Sequence, residues 1–184
     1  QVGPWKVSPI KDNHNNLNSF AMDVLGELST DSLLITKLKE FPELAEFIIL
    51  QRLFWFGRRG FKENPIAGKI NQDNDAWIGA YLWQQLKKHQ VITVFNDVLN
   101  FNHQNVQTCF VSILAEIDDL YFKSRKRKKT QQQLVQDWMK KSVPVINGNF
   151  VYPKDYQQTL ASCQEIIEEP LFLPTFAFSN IEEL

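Results

Sequence analysis

The chain has 184 residues, of which 43% are hydrophobic and 22% charged, and its net charge at pH 7 is −1. This composition excludes an intrinsically disordered chain and a globally basic nucleic-acid binder. Because it contains only seven glycines and eight prolines, a mainly helical fold is favoured over a turn-rich all-β fold. We predict a single α-helical domain over residues 1–184, with about seven helices and one short β-hairpin near residues 143–152.

The N-terminal residues show no apolar stretch typical of a signal peptide, and no segment has the ~20 apolar residues that span a bilayer. Because the sequence begins with Gln1 and not with Met, we expect it to be a piece of a longer protein. The two cysteines, Cys109 and Cys163, fall on apolar helix faces, and we expect free buried thiols rather than a disulfide. Together these features favour a reducing, cytoplasmic setting without membrane contact.

The first third of the chain is expected to contain three helices after an extended lead-in over residues 1–14. Helical spacing of apolar residues predicts a first helix over residues 16–28 and a second that ends near Phe41, with a break at Ser29-Thr30-Asp31. The most apolar run, Glu43 to Phe56, is predicted to be a central helix buried on nearly all sides. We expect Gly57 to end that helix in the left-handed conformation.

A long polar connection, Gly57–Asn74, follows this helix and carries four cations: Arg58, Arg59, Lys62 and Lys69. Since another helix is predicted to begin near Asp75, an anion bound here would meet both arginines and a helix N-terminus. The alternative is that the arginines pair with nearby carboxylates or lie along aromatic rings. The sequence has no phosphate-binding glycine pattern and no metal-ligand spacing, so we predict neither a cofactor nor a metal.

The remaining elements follow from apolar spacing and turn chemistry. Helices are predicted over residues 76–89, 103–122, 130–141 and 155–168, and residues 91–100 suit either a helix or a strand, with the helix preferred. Asn147-Gly148 is the strongest short-range signal for a two-residue hairpin turn. We expect residues 169–184 to form an extended apolar tail packed on the body of the domain.

A basic run between two of these helices raises the possibility of nucleic-acid binding. Its cations are Lys123, Arg125, Lys126, Arg127, Lys128 and Lys129. Helix, basic turn, helix and hairpin follow one another as in a winged helix-turn-helix, and Gln132 and Gln136 are able to read adenine edges. Asp137 and a hairpin tip without cations argue against this hypothesis, and the alternative is a solvated turn between two helices.

The sequence shows none of the catalytic constellations that can be recognised from residue spacing alone. We therefore expect a non-catalytic binding or interaction domain, with the Gly57–Asn74 loop as a possible anion-binding or partner-binding surface. The second hypothesis is a nucleic-acid-binding module that uses residues 123–152. The third is an enzyme whose anionic substrate is held by Arg58 and Arg59.

Overall fold

The computed structural model describes residues 19–58, 68–70, 73–95, 98–124 and 131–162. The predicted lead-in over residues 1–14 and the predicted tail over residues 169–184 therefore lie outside the described residues. Within the described ranges the α-helices are α1 (Ser19–Lys37), α2 (Pro42–Gln51), α3 (Asn74–Lys88), α4 (Val106–Ser124), α5 (Gln131–Ser142) and α6 (Lys154–Ser162). The strands are β1 (Lys69–Ile70), β2 (Ile92–Phe95), β3 (Val98–Phe101), β4 (Val145–Ile146) and β5 (Asn149–Val151). The predicted mainly helical fold is confirmed.

The predicted C-terminal hairpin is also confirmed. β4 and β5 pair antiparallel around Asn147 and Gly148, with Ile146 opposite Asn149. Both turn residues have positive φ, 50° for Asn147 and 77° for Gly148, as a primed two-residue turn requires. The hairpin also gains a third strand, because β1 pairs antiparallel with β5 and the sheet order is β1-β5-β4.

The preference for a helix over residues 91–100 is wrong, because β2 and β3 form a second antiparallel hairpin there. Gln90 adopts a positive φ of 56° directly after α3, which stops the helical path. The β-branched residues Ile92, Thr93 and Val94 then continue as a strand, the conformation in which such side chains pack well.

The predicted break at Ser29-Thr30-Asp31 is also wrong, because α1 runs through it without interruption. The Thr30 hydroxyl donates to the Gly26 carbonyl one turn earlier, so this residue satisfies its polar group inside the helix. Ser29 is buried, and Asp31 pairs with Arg52 instead of capping a new helix.

The centre of the core is α3 rather than the more apolar α2, which corrects the prediction of a central helix at Glu43 to Phe56. Every residue from Ala76 to Trp83 is buried, whereas α2 buries only Ala45 and Ile49. α3 packs against α1, α4 and the turn that follows α2. None of the helices in the described ranges is long and apolar enough to cross a bilayer.

Gly57 does not adopt the expected left-handed conformation, since its φ and ψ are −63° and −20°. α2 instead continues into one π-helical turn, Arg52–Phe56, in which the Gly57 N–H donates to the Arg52 carbonyl. Gly57 is needed for close packing, because a Cβ atom there would lie 3.0 Å from the Gly79 Cα atom of α3.

Candidate functional site

A groove opens where four elements meet: α2 with its π-helical turn, α3, the β2–β3 hairpin and α6. Its volume is about 440 Å³, within the range of ~300–1,000 Å³ that is usual for ligand sites. Its lining residues are Leu50, Phe54, Trp83, Lys87, Val94, Leu99, Asp155, Gln158, Thr159 and Ser162.

Two apolar walls face each other across the groove. On one side, Leu50 and Phe54 lie four residues apart and therefore on the same face of the helix. On the other side, Val94 of β2 lies directly opposite Leu99 of β3, and directly opposed side chains of an antiparallel pair project from the same face of the hairpin. The next pair, Phe95 and Val98, projects from the opposite face.

Trp83 provides the buried aromatic surface of the groove, with only 1% of its area exposed. Its ring stacks on Tyr156 at a centroid distance of 4.8 Å and meets Phe54 edge-on at 6.4 Å. The Trp83 N–H completes no hydrogen bond with any described residue. It lies close enough to Asp155 to help lower the pKa of that carboxyl, and an acceptor group on a ligand would compete with Asp155 for this donor.

The two charged residues of the groove compensate each other. Lys87 of α3 pairs with Asp155 of α6, and its ammonium group lies 6.0 Å from the centroid of the Trp83 ring. Burial raises the pKa of Asp155, but the hydrogen bond of Lys87, the nearby Trp83 N–H, the charge of Lys87 and the Tyr156 backbone N–H together outweigh burial, so the net shift is downward. Thr159 and Ser162 donate their hydroxyls to carbonyls of their own helix. The lining is therefore apolar or internally satisfied, apart from the Trp83 N–H and the exposed side-chain amide of Gln158.

The exposed side of α2 carries large apolar side chains near this groove. Leu44 and Phe47, one turn apart, are 47% and 46% exposed, and Phe47 precedes Leu50 by three residues on the groove side of the helix. Phe41 and Trp55 are exposed at the two ends of the same segment. Clusters of exposed large apolar residues are typical of contact surfaces in soluble proteins.

Two tyrosines hold the π-helical turn that forms the base of this wall. The Tyr156 hydroxyl donates to the Leu53 carbonyl at 2.5 Å, and the Tyr152 hydroxyl donates to the Gly57 carbonyl at 2.6 Å. In a regular α-helix the Leu53 carbonyl would accept from the Gly57 N–H, which here donates to the Arg52 carbonyl. The π turn thus frees a buried carbonyl, and a distant tyrosine satisfies it.

Arg52, the first residue of the π turn, lies among three carboxylates. It forms ion pairs with Asp31 at 2.5 Å, with Asp75 and, at 3.8 Å, with Glu27. Its guanidinium carbon also lies 5.3 Å from the centroid of the Phe56 ring. The three acids come from α1 and α3, so this network joins α1, α2 and α3.

Among the described residues, no group of three His, Cys, Asp or Glu side chains has metal-binding geometry.

Only two of the four residues predicted to bind an anion, Arg58 and Lys69, lie in the described part of the chain. Arg58 is half-buried with its guanidinium carbon 5.6 Å from the centroid of the Trp55 ring, which agrees with the alternative of packing along an aromatic ring. Lys69 is exposed on β1, and Arg59 and Lys62 lie outside the described residues. An anion-binding role for the Gly57–Asn74 loop stays a prediction.

The predicted nucleic-acid contacts lie mostly outside the described residues, which exclude 125–130. Lys123 belongs to α4 and Gln132 to α5, but the described side chains include neither. Gln136 is half-buried on α5.

Cys109 is a free, buried thiol whose pKa burial raises to about 12. A nucleophilic cysteine instead has a lowered pKa and a partly exposed, electropositive environment.

Neither the groove nor the ion-pair network of Arg52 was predicted from the sequence. One signal for Arg52 was present, because an arginine inside a strongly apolar run needs a partner when that run is packed. The groove had no comparable signal, since its walls come from segments more than 100 residues apart, such as Leu50 and Ser162.

Comparisons of this chain with protein-family models, curated proteins and solved structures find no match. The function must therefore be inferred from the geometry of the site itself.

Proposed function

We propose that the chain is a non-catalytic binding module that holds an uncharged, apolar peptide segment of a protein partner in the groove between α2, α3, α6 and the β2–β3 hairpin. The observation that carries this proposal is the lining of the groove. Two apolar walls enclose a buried tryptophan, and the two charged lining residues already pair with each other. Because the two charges neutralise each other, they offer little net attraction to a charged ligand, whereas an apolar ligand gains from the walls.

A peptide suits this groove better than a compact small molecule. The exposed residues Leu44 and Phe47 extend the apolar surface of α2 beyond the groove, so an elongated ligand gains contacts on both. The Trp83 N–H, which completes no hydrogen bond with a described residue, is a donor for a peptide carbonyl. Apolar side chains fixed in pockets and a few placed hydrogen bonds are the usual elements of peptide recognition.

Two neighbouring residues of β3 provide a direct test. Leu99→Glu places a carboxylate on the groove wall, whereas Val98→Glu places the same group on the opposite, solvent-facing side of the hairpin, where Val98 is 57% exposed. Titration with the neutral fluorescent dye Nile red is expected to show binding that Leu99→Glu weakens by about tenfold or more, because the buried charge must be desolvated.

Val98→Glu is the matched control, and it is expected to leave the dye affinity within about twofold of the wild-type value. Circular dichroism of both variants checks that the hairpin remains folded. Equal losses in the two variants, or no loss in either, would contradict a binding site on the groove side of the hairpin.

A second candidate function, nucleic-acid binding by a winged-helix-like module, is favoured by the sheet order β1-β5-β4. A winged helix combines packed helices with a small sheet that ends in a hairpin, and α1, α4 and α5 contact one another here. Against this candidate, Val145 and Ile146 are exposed on the hairpin, and its tip has no cation to meet phosphates.

The basic run tests this second candidate. If it binds phosphates, changing Lys126, Arg127 and Lys128 to glutamate is expected to reduce DNA or RNA affinity by more than about tenfold and to flatten the salt dependence. Fluorescence anisotropy at several salt concentrations measures both quantities. Absence of binding by the wild-type chain, or unchanged binding after the triple substitution, would exclude this function.

The described residues give no specific support to the third hypothesis, an enzyme that holds an anionic substrate with Arg58 and Arg59. A cytoplasmic location accords with the buried free thiol of Cys109 and belongs to the proposal as an expectation.

A further inference from the structure

We infer that the groove is a self-occupied site, in which the apolar segment formed by residues 171–178 of this chain binds and must be displaced by any external partner. This inference rests on the binding function proposed above for the same groove. It is carried by the position of Ser162 at the groove, by the sequence that follows it, and by the compensated charges of the groove.

α6 runs along the groove, and its described residues reach the edge of the groove. Asp155, Gln158, Thr159 and Ser162 all line the groove, and their spacing of three, four and seven residues places them on one face of the helix. Ser162 is the last described residue of α6. The chain that follows residue 162 therefore starts beside the groove and not on a remote side of the domain.

The sequence after α6 contains an apolar segment of suitable composition. Residues 171–178 read Leu-Phe-Leu-Pro-Thr-Phe-Ala-Phe, with five large apolar side chains and no charge. Transfer of each such side chain from water to an apolar site is favourable in proportion to the apolar area that is buried. Pro170 and Pro174 restrict the backbone, which lowers the entropy lost when an extended peptide binds.

The residues between Ser162 and the apolar segment are numerous enough to let the segment reach the groove and few enough to keep it near the groove. Eight residues separate Ser162 from Leu171, and a chain of that length spans roughly 30 Å when it is extended. Linking a segment to its site by so few residues raises its effective concentration, to the order of millimolar where the linker permits contact. A free peptide of equal intrinsic affinity would have to exceed this concentration to displace the tethered segment.

The charges of the groove agree with an uncharged occupant. Lys87 and Asp155 neutralise each other at the α6 side of the groove, so neither is left to select a charged ligand. An uncharged segment leaves that pair intact, and its backbone carbonyls are suitable acceptors for the Trp83 N–H.

The test uses the full chain with the double substitution Phe172→Ser and Phe176→Ser, which keeps the length and charge of the segment. If the segment competes for the groove, this variant is expected to bind Nile red at least about fivefold more tightly than the wild-type chain. The matched control, Ser179→Ala with Asn180→Ala, changes two polar residues just beyond the segment and is expected to bind as the wild type does. A synthetic peptide with the sequence of residues 169–178 is expected to displace the dye from the double variant.

Adding Leu99→Glu to each chain separates this inference from the proposed function. If Leu99→Glu weakens dye binding but the segment variant binds no more tightly than the wild type, the groove is a binding site and self-occupation is wrong. If Leu99→Glu has no effect in any chain, the proposed function fails and the inference fails with it. Tighter binding in the segment variant that Leu99→Glu removes, with displacement by the peptide, supports both.

Discussion

Replacement of Arg52 by methionine is expected to lower the free energy of unfolding by about 3 kcal/mol, the lower end of the range for breaking a buried ion pair. The guanidinium group pairs with Asp31 and Asp75, and the arginine and these two acids each expose less than a fifth of their side chains. Methionine keeps an apolar side chain near Phe56, whose ring the guanidinium carbon approaches, but it removes the cation that pairs with Asp31 and Glu27. Equilibrium unfolding in urea measures the loss.

Arg58→Met is the matched control, because it removes the same charged group at a position six residues further along the chain. Arg58 lies over the exposed Trp55 ring, and a contact of this kind contributes about 1 kcal/mol or less. A double variant, Arg52→Met with Asp31→Asn, is expected to recover part of the loss because one unpaired carboxylate is removed. A loss in Arg52→Met of less than about 1 kcal/mol, the usual limit for an exposed ion pair, would show that the network does not stabilise the fold.

The loss caused by Arg52→Met is expected to shrink as the pH falls from 7 to 5. Burial raises the pKa of Asp31 and of Glu27, and in both cases Arg52 acts in the opposite direction. A carboxyl whose pKa is higher in the folded state binds protons preferentially there, so acidification toward its unfolded value of about 4 favours folding. Without Arg52 these pKa values rise further, and the variant therefore gains more than the wild type. A loss that grows on acidification would contradict this account.

Local patterns predicted most of the fold. The apolar spacing of Val106, Phe110, Ile113 and Ile117 indicated the face of α4 that is buried, and Asn147-Gly148 indicated the hairpin turn, because both signals act within a few residues. The break expected at Ser29-Thr30-Asp31 failed because residues that favour helix ends also occur inside helices when their polar groups find partners. Thr30 finds such a partner in its own helix, and Asp31 finds one in Arg52, the residue that follows α2.

The candidate site was not predictable in the same way, because burial depends on how many elements surround a helix and not on its own apolarity. α3 contains Ala76, Gly79 and Ala80, whose small size lets neighbouring elements approach it closely. α2 is richer in large apolar residues, yet Leu44 and Phe47 remain exposed because the described chain places nothing over them. The most apolar run therefore forms part of a candidate binding surface instead of the centre of the core.

Gly79→Ala is expected to destabilise the fold by about 2 kcal/mol through overpacking, although the same change in an exposed helix interior is stabilising by about 1 kcal/mol. A Cβ atom at residue 79 would lie 2.8 Å from the Gly57 Cα atom and 3.0 Å from the Tyr156 hydroxyl. Neither contact is relieved by a rotamer change, since one involves backbone and the other a hydroxyl that donates to the Leu53 carbonyl. Urea unfolding measures the change in the free energy of unfolding caused by Gly79→Ala. A decrease shows that close packing dominates at residue 79, and an increase shows that helix propensity dominates.

A double-mutant cycle with Tyr156→Phe identifies where the strain is taken up. Alone, Tyr156→Phe leaves the buried Leu53 carbonyl without its donor, at a cost of about 1–3 kcal/mol. If the methyl group added by Gly79→Ala already displaces that hydroxyl, part of this cost is included in the glycine substitution, and the double variant is expected to lose about 1 kcal/mol less than the sum of the single losses. Because Tyr156 also stacks on Trp83, Gly79→Ala is expected to weaken Nile red binding in the groove. If the losses in the free energy of unfolding are strictly additive and dye binding is unchanged, the packing of the π turn is not coupled to the groove.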